Sequence, residues 1–427
     1  MEKFIVTGGN KLQGTIVPAG NKNESLPTLA AVLLSEEPIT LHNLPNIGDI
    51  NLMKQILERL GVGIHYQKDG SYGFDPKNII SPTPDPQLCR KIRGSFLLAA
   101  PLLIRLGEAR ISMPGGDTIG RRRLDTHLMV FEKLGATIKQ DGPFFHFSCK
   151  KLIGTDIFLD EASVMATENA IMAAVFAEGR TTIYNAACEP HVQGLCLMLN
   201  AMGASIQGIG SNYLIIEGVQ KLKSCVHRIQ PDHTEVGSLI GLAAVTKSEL
   251  TIQNPGFNNL GLILHFFKRL GVTVEKIGND LFVSSEQELC IRNDSDKSIP
   301  KIDDAPWPGF PADLTSIMTV VATQCKGTIL IFEKLFESRL FWVDKLISMG
   351  AQIILCDPHR AVVVGPSTLR GTKLNSPDIR AGMALLIASL CAQGISEIYD
   401  IEQIDRGYEE IDQRLNALGA NIQRVEM

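Results

Sequence analysis

"LERLGVGI", residues 57–64, ends an apolar helical pattern on a glycine and runs straight into a strand pattern. The phrase returns as "FEKLGATI" (131–138), "LNAMGASI" (199–206), "FKRLGVTV" (267–274), "LISMGAQI" (346–353) and "LNALGANI" (415–422). Its glycines are Gly61, Gly135, Gly203, Gly271, Gly350 and Gly419, spaced by 74, 68, 68, 79 and 69 residues. A glycine just past a helix supplies the left-handed residue that closes it. One such phrase arises easily by chance, but six at near-constant spacing mark a repeat.

Each repeat carries a second, earlier helix rich in Ala and Leu, such as "LPTLAAVLLS", "ENAIMAAVFAEG" or "AGMALLIASLCAQG". These are apolar almost all round, which predicts burial on every side. A β-rich stretch follows, as in "EEPITLHN", "GRTTIYNA" or "CKGTILIFEKLF". The expected unit is α–β–α–β–β. A period near 70 is too long for an ordinary solenoid, so two three-unit α/β domains are expected, with a junction near Ser224–Gln230.

Composition narrows the function. With 41 Lys and Arg against 46 Asp and Glu, a net charge of −5 gives no reason to expect nucleic acid or a membrane surface as a partner. The apolar run Phe96–Ile104 is too short to span a bilayer. The opening "MEKFIVTGGN" has no signal-peptide core, and nine scattered cysteines without a CxxC pair indicate neither a disulfide framework nor a zinc site. These features predict a cytoplasmic protein that needs no metal. No P-loop, HExxH or GxSxG pattern occurs.

Charges recur at equivalent places in the units. Lys22 with Asn23, Arg93, Thr167, Asp232, Asp313, and Asp378 with Arg380 stand at or before the first helices; Arg122 with Asp125, Arg339 and Arg406 stand where the second helices should begin. A cation at a helix N-terminus opposes the dipole there. A bound anion is the expected compensation. Any one such charge is ordinarily a cap or a solvated side chain, and Asp313 and Asp378 also fit helix N-caps. The repetition favours a multi-anion site.

"LQGTIVPAGNKNESLPTLAAVLL", "PGGDTIGRRRLDTH", "FPADL", "FESR", "SPDIRAG" and "IDRGYE" together resemble the UDP-N-acetylglucosamine 1-carboxyvinyltransferases, a branch of the enolpyruvyl transferases. The resemblance runs in order along essentially the whole chain. It implies an inside-out α/β barrel of six units in two domains, residues 22–229 in one and 1–21 with 230–427 in the other, with the active site in the cleft between them. It implies transfer of enolpyruvyl from phosphoenolpyruvate to the 3-hydroxyl of UDP-N-acetylglucosamine with release of phosphate, the first committed step of peptidoglycan synthesis, and no cofactor. Lys22 and Asn23 would hold phosphoenolpyruvate, with Arg122 and Arg406 on its anionic groups. Arg93, the run Arg122, Arg123, Leu124, Asp125 and Thr126, the pair Ser163 and Val164, and Leu335 would line the nucleotide-sugar site. Asp313 would take the hydroxyl proton, and Arg339, Asp378 and Arg380 would complete the site.

Asp117 occupies the loop position that most of the family fill with cysteine, the residue assigned to protonate the methylene carbon of phosphoenolpyruvate. That thiol is also the target of the epoxide fosfomycin, so Asp117 implies insensitivity. Other departures are Gly48 for a lysine, His233 for an arginine, Ser338 for an asparagine, and Glu161–Ala162 before the matched Ser163–Val164 pair. Two other readings stand beside this one. A 5-enolpyruvylshikimate-3-phosphate synthase should open with "PGSKS", where "AGNKNESLP" stands. A non-catalytic nucleotide-sugar-binding paralogue has no use for an acid and a base together.

Overall fold

The repeated phrase becomes six copies of one helix ending. Each glycine has a positive φ, from 76° at Gly271 to 107° at Gly203, a conformation that costs other residues about 1–2 kcal/mol. The N–H after the glycine donates to the carbonyl five residues earlier: Val62 to Leu57, Ala136 to Phe131, Ala204 to Leu199, Val272 to Phe267, Ala351 to Leu346 and Ala420 to Leu415, all at 2.9–3.1 Å. This is the Schellman closure.

The computed structural model describes residues 2–116 and 119–426. The chain forms two units, one of Gly20–Gly116 and Arg122–Gln230, the other of Met1–Ala19, Asp117–Arg121 and Pro231–Met427. Each has its own core. In the first, Leu33, Phe74, Phe96 and Phe147 are among the buried side chains; in the second, Phe4, Leu239, Phe267 and Phe310 are.

Within each unit the apolar helices are the interior. All fourteen residues of the helix His233–Thr246 are buried. A Cβ at Gly237 would lie 2.6 Å from Leu314 and one at Gly241 2.7 Å from Ile317, so these glycines set how closely the helix meets the segment 314–317. The sheets lie over such helices with alternate residues buried, as in Gly327–Phe332, where Ile329 and Ile331 face inward.

A typical sheet begins with a short strand that the sequence reading missed. Asp156–Phe158 runs parallel to Arg180–Tyr184, which pairs antiparallel with Tyr213–Glu217, and that strand with Ser205–Gln207. Lys301–Asp303 leads Gly327–Phe332 in the same way. The unit is therefore β–α–β–α–β–β, not α–β–α–β–β. A lead strand of three or four residues is too short to carry a hydrophobic period. Among the described residues, the sheet of Glu108–Ser112, Phe144–Ser148 and Thr137–Asp141 has three strands and no lead.

Two lead strands come from far along the chain. Cys225–Arg228 runs parallel to Ile39–His42, and Gln13–Ile16 to Glu249–Ile252. The strand Glu2–Thr7 lies between Ile395–Tyr399 and Asn421–Glu426, antiparallel to both. Among the described residues, no helix is long and apolar enough to cross a membrane.

Candidate active site

In the unit that begins at Gly20, Lys22 opens the helix Lys22–Ala31, whose N-cap Asn21 accepts from the Glu24 N–H at 3.0 Å. The Lys22 ammonium is buried and pairs with Asp49 at 2.8 Å, and Asn23 beside it is half-buried. Asp49 lies in the first turn of the helix Gly48–Arg59, one residue past the family's missing lysine. The anion expected to offset Lys22 is thus first supplied by the protein.

Arg93 begins a 3₁₀ turn, Arg93–Leu98. Its Nη2 donates to the Arg122 carbonyl at 2.8 Å and the Arg123 carbonyl at 3.2 Å, so one guanidinium holds the backbone of the arginine run. Burial, and then the charge of Arg122, push its pKa down to about 10; Glu161 acts the other way. Two guanidiniums held together against repulsion suit an anion. Gly116 closes this corner: its φ is 108°, and a Cβ there would lie 3.1 Å from both Arg93 Cβ and Arg122 Nη2. Asp117 itself lies outside the described residues.

Arg123 pairs with Asp160 at 3.0 Å and Asp125 at 3.4 Å. Thr126 Oγ1 donates to Asp160 at 2.7 Å. That bond, together with Arg123, keeps the Asp160 carboxyl below its usual range despite partial desolvation. Leu124 precedes the helix Asp125–Lys133 as its N-cap. Ser163 is N-cap of the helix Val164–Ala174, and makes no side-chain cap bond; the Ser163 carbonyl accepts from Thr167 Oγ1 at 2.8 Å. Asp160 joins the two loops that carry the candidate nucleotide-sugar residues, and no motif announced it. His127, the last residue of the "PGGDTIGRRRLDTH" loop, is a core histidine. It sits against Asn169 Nδ2 at 3.0 Å and edge-on to Phe96, and burial lowers its pKa to about 3.

In the other unit Asp313 is the centre of an ion cluster. Arg339 Nη2 meets its Oδ1 at 2.8 Å, and Arg380 brings Nε and Nη2 to its Oδ2, each at 2.9 Å. Both arginines are buried, while Asp313 is 26 % exposed at the side chain, so the carboxylate is the open face of the cluster. Burial alone would lower the Arg380 pKa, but Asp313 and Tyr408 outweigh it and hold it well above its usual value. The two acids that both fitted N-caps part here. Asp378 caps the helix Ile379–Cys391, accepting from the N–H groups of Arg380 and Ala381. Asp313 lies inside the 3₁₀ turn Ala312–Leu314, whose N-cap is Pro311, and serves the arginines.

Two further expectations change. Arg339 and Arg380 are balanced by Asp313 rather than first by a ligand. Arg406 does not begin a helix; it is the C-cap of the four-residue helix Glu402–Asp405, where a cation is favoured, with Nη1 donating to Gln403 at 2.8 Å. The next helix, Ile411–Asn416, starts five residues on. Leu335 is 44 % exposed, its N–H held by Asp304 at 3.1 Å. Ser338 donates its N–H to the Ile119 carbonyl at 3.3 Å. His233 is buried and edge-on to Trp307. Burial is the largest influence on its pKa and lowers it, which favours the neutral ring where the family has an arginine.

Behind Arg339 lies Glu333, fully buried, with neither carboxyl oxygen in a well-formed hydrogen bond. Burial raises its pKa to about 9, Arg339 opposing the shift and Asp304 adding to it. The native chain therefore keeps a proton that the unfolded chain loses near 4.5, and this group's contribution to stability falls as pH rises from there towards 9. Glu333→Gln should be increasingly more stable than the parent between pH 5 and pH 8, by on the order of a few kcal/mol at the upper end. A gap between the two melting temperatures that stays constant with pH would exclude this.

A family model described as EPSP synthase (3-phosphoshikimate 1-carboxyvinyltransferase) matches residues 6–415. The chain belongs to the enolpyruvyl transferase family. This transferase is 54 % identical over 423 residues to a protein of Bradyrhizobium diazoefficiens named UDP-N-acetylglucosamine 1-carboxyvinyltransferase, covering 99 % of this chain and 98 % of that one. Proteins of the same name in Bacteroides fragilis and Treponema denticola are 52 % and 54 % identical, with all of both chains covered. Among solved structures, the enolpyruvyl transferase NikO from Streptomyces tendae superposes with a TM-score of 0.87 at 22 % identity, over 99 % of each chain. EPSP synthase from Acinetobacter baumannii gives 0.75 at 17 % over all of both chains. At those identities the structural likeness speaks for the α/β fold alone.

Proposed function

We propose that this enolpyruvyl transferase uses phosphoenolpyruvate and UDP-N-acetylglucosamine, forms the enolpyruvyl ether at the sugar 3-hydroxyl and releases phosphate, as the first committed step of peptidoglycan synthesis. The observation that carries the reading is the 51–54 % identity, over essentially full length, to proteins that bear that one name. Nine free cysteines agree with a reducing, cytoplasmic compartment.

In this reading the 3-hydroxyl oxygen attacks C2 of phosphoenolpyruvate and its proton passes to Asp313, whose exposed carboxylate is held in place by Arg339 and Arg380. Asp117 gives a proton to C3, making it a methyl group. The tetrahedral adduct carries a carboxylate and a phosphate, which Lys22, Arg122 and Arg406 neutralise. Loss of one methyl proton and cleavage of the C2–O bond to phosphate then restore the double bond. Asn23 helps seat phosphoenolpyruvate, and Arg93, Arg123, Leu124, Asp125, Thr126, Ser163, Val164 and Leu335 bind the nucleotide sugar. Asp378 orders the turn that presents Arg380.

The description of the matching family model favours a second acceptor, shikimate 3-phosphate; the absent "PGSKS" opening argues against it. Phosphate release from phosphoenolpyruvate with each acceptor separates the readings. Release with UDP-N-acetylglucosamine alone is expected, release with shikimate 3-phosphate alone would favour the second, and release with neither would leave a binding protein. Arg122→Lys should lower kcat/KM for phosphoenolpyruvate about 10- to 100-fold, because the charge remains but the planar fork is lost. An unchanged value would make Arg122 part of a solvated basic run.

A further inference from the structure

Arg424, on the strand Asn421–Glu426, faces three carboxylates. Its Nη1 meets Glu2 at 2.9 Å and Asp405 at 2.8 Å; its Nη2 meets Asp405 at 2.9 Å and Asp412 at 3.1 Å; its Nε meets Asp412 at 3.2 Å. A guanidinium has five N–H donors, and these five bonds use them all. Asp405 and Asp412 are each gripped through both oxygens. The guanidinium also lies 4.9 Å from the centre of the Phe4 ring.

Asp405 and Asp412 are the two ends of a short irregular segment that carries Arg406. Its backbone is also held locally, by the Gly407 and Tyr408 N–H groups on the Ile404 carbonyl at 3.0 Å each and by Arg414 Nη1 on the Glu409 carbonyl at 3.3 Å. Glu410 has a φ of 40°, unfavourable for a residue with a side chain. Gly407 packs so closely on Ile379 that a Cβ would lie 2.3 Å from its Cγ2. Midway, the Tyr408 hydroxyl lies 3.2 Å from Arg380 Nη1 and 3.0 Å from Ser238 Oγ, so the segment also reaches the arginine that holds Asp313. Three carboxylates around one partly buried cation repel each other as soon as the cation is removed. Glu2 takes a single bond and lies on the strand Glu2–Thr7, outside the segment.

We propose that Arg424 is a positioning residue for Arg406: one saturated guanidinium pins both ends of residues 405–412 and thereby fixes where the Arg406 charge stands. The proposal rests on Arg406 binding an anionic group of phosphoenolpyruvate. Lysine at 424 would keep the charge but could not grip two carboxylates in a plane.

The test is a double-mutant cycle read by phosphate release. Arg424→Lys should raise KM for phosphoenolpyruvate about 10- to 100-fold, the cost of a small misplacement of a binding group, and leave UDP-N-acetylglucosamine affinity unchanged. In an Arg406→Lys background the same substitution should change KM less than twofold, because the group it positions is already gone. Glu2→Ala, which removes one of the five bonds, should lower the melting temperature and leave KM alone. Should Arg424→Lys not fold, Asp405→Asn breaks the same grip and should give the same pattern. Independent, multiplying effects of the 406 and 424 substitutions, or an unaltered KM in both Arg424→Lys and Asp405→Asn, would overturn the proposal. Unaltered phosphoenolpyruvate kinetics in Arg406→Lys would overturn the reading beneath it.

Discussion

Asp313→Asn should cut turnover about 10³-fold while UDP-N-acetylglucosamine still binds. The amide keeps the shape of the carboxylate, and its one oxygen can still accept from one of the two arginines, but its NH2 faces the other and it cannot take the hydroxyl proton. Alanine would be the poorer choice. It would leave two buried guanidiniums without their carboxylate, which costs about 3–5 kcal/mol when a buried pair is broken, so lost activity would be confounded with lost structure. Isothermal titration with the nucleotide sugar and single-turnover phosphate release separate the two effects. Turnover within tenfold of the parent would remove Asp313 from the role of base.

The other large effect concerns the loop acid. A free aspartic acid has a pKa near 3.9, so about one in a thousand is protonated at pH 7, a penalty on the order of 4 kcal/mol for a group that must donate a proton. A thiol at the same position holds its proton at neutral pH and, as the thiolate, attacks epoxides far better than a carboxylate does. The parent should therefore take up no fosfomycin. Asp117→Cys should keep activity, lose it with time in the presence of fosfomycin, and carry one adduct by mass spectrometry. An adduct on the parent, or an active Asp117→Cys variant that takes up none during turnover, would take Asp117 out of the acid's role.

The repeat was legible because its signal is backbone chemistry. A left-handed residue after a helix calls for glycine, and six such residues in step announce six units whatever their side chains. The fully apolar helices were legible for a similar reason: burial on all sides leaves no polar stripe. The lead strands were not, since three residues cannot display a period. Of the candidate site, Lys22, Arg93, Arg339 and Arg380 stood out as cations in awkward places and Asp313 as a candidate acid, but other partners of the cluster did not. Asp49, Asp160 and Tyr408 are ordinary residues in sequence, and only folding sets them opposite the arginines and lysine they serve. Arg406 was misplaced because a four-residue helix leaves no pattern, so the cation appeared to begin a helix when it ends one. Asp313 and Asp378 both fitted caps; only the distances to Arg339 and Arg380 tell them apart.

The strand Glu2–Thr7 carries a consequence for how the molecule is made. Its two sheet partners are Ile395–Tyr399 and Asn421–Glu426, so it emerges almost four hundred residues before either of them. Apart from a short segment ending at Arg121, the unit it belongs to is interrupted after Ala19 and resumes at Pro231, and these two crossing points are hydrogen-bonded: the Asp232 N–H to the Ala19 carbonyl at 2.9 Å, and the Asn21 N–H to the Gln230 carbonyl at 2.8 Å. Topologically, residues 20–230 are a guest in a host whose edges meet. On the ribosome the guest core can close once residue 230 has emerged, whereas the host needs almost two hundred residues more. Until then the strand lacks both sheet partners, and an unpaired strand edge is the kind of surface that pairs wrongly.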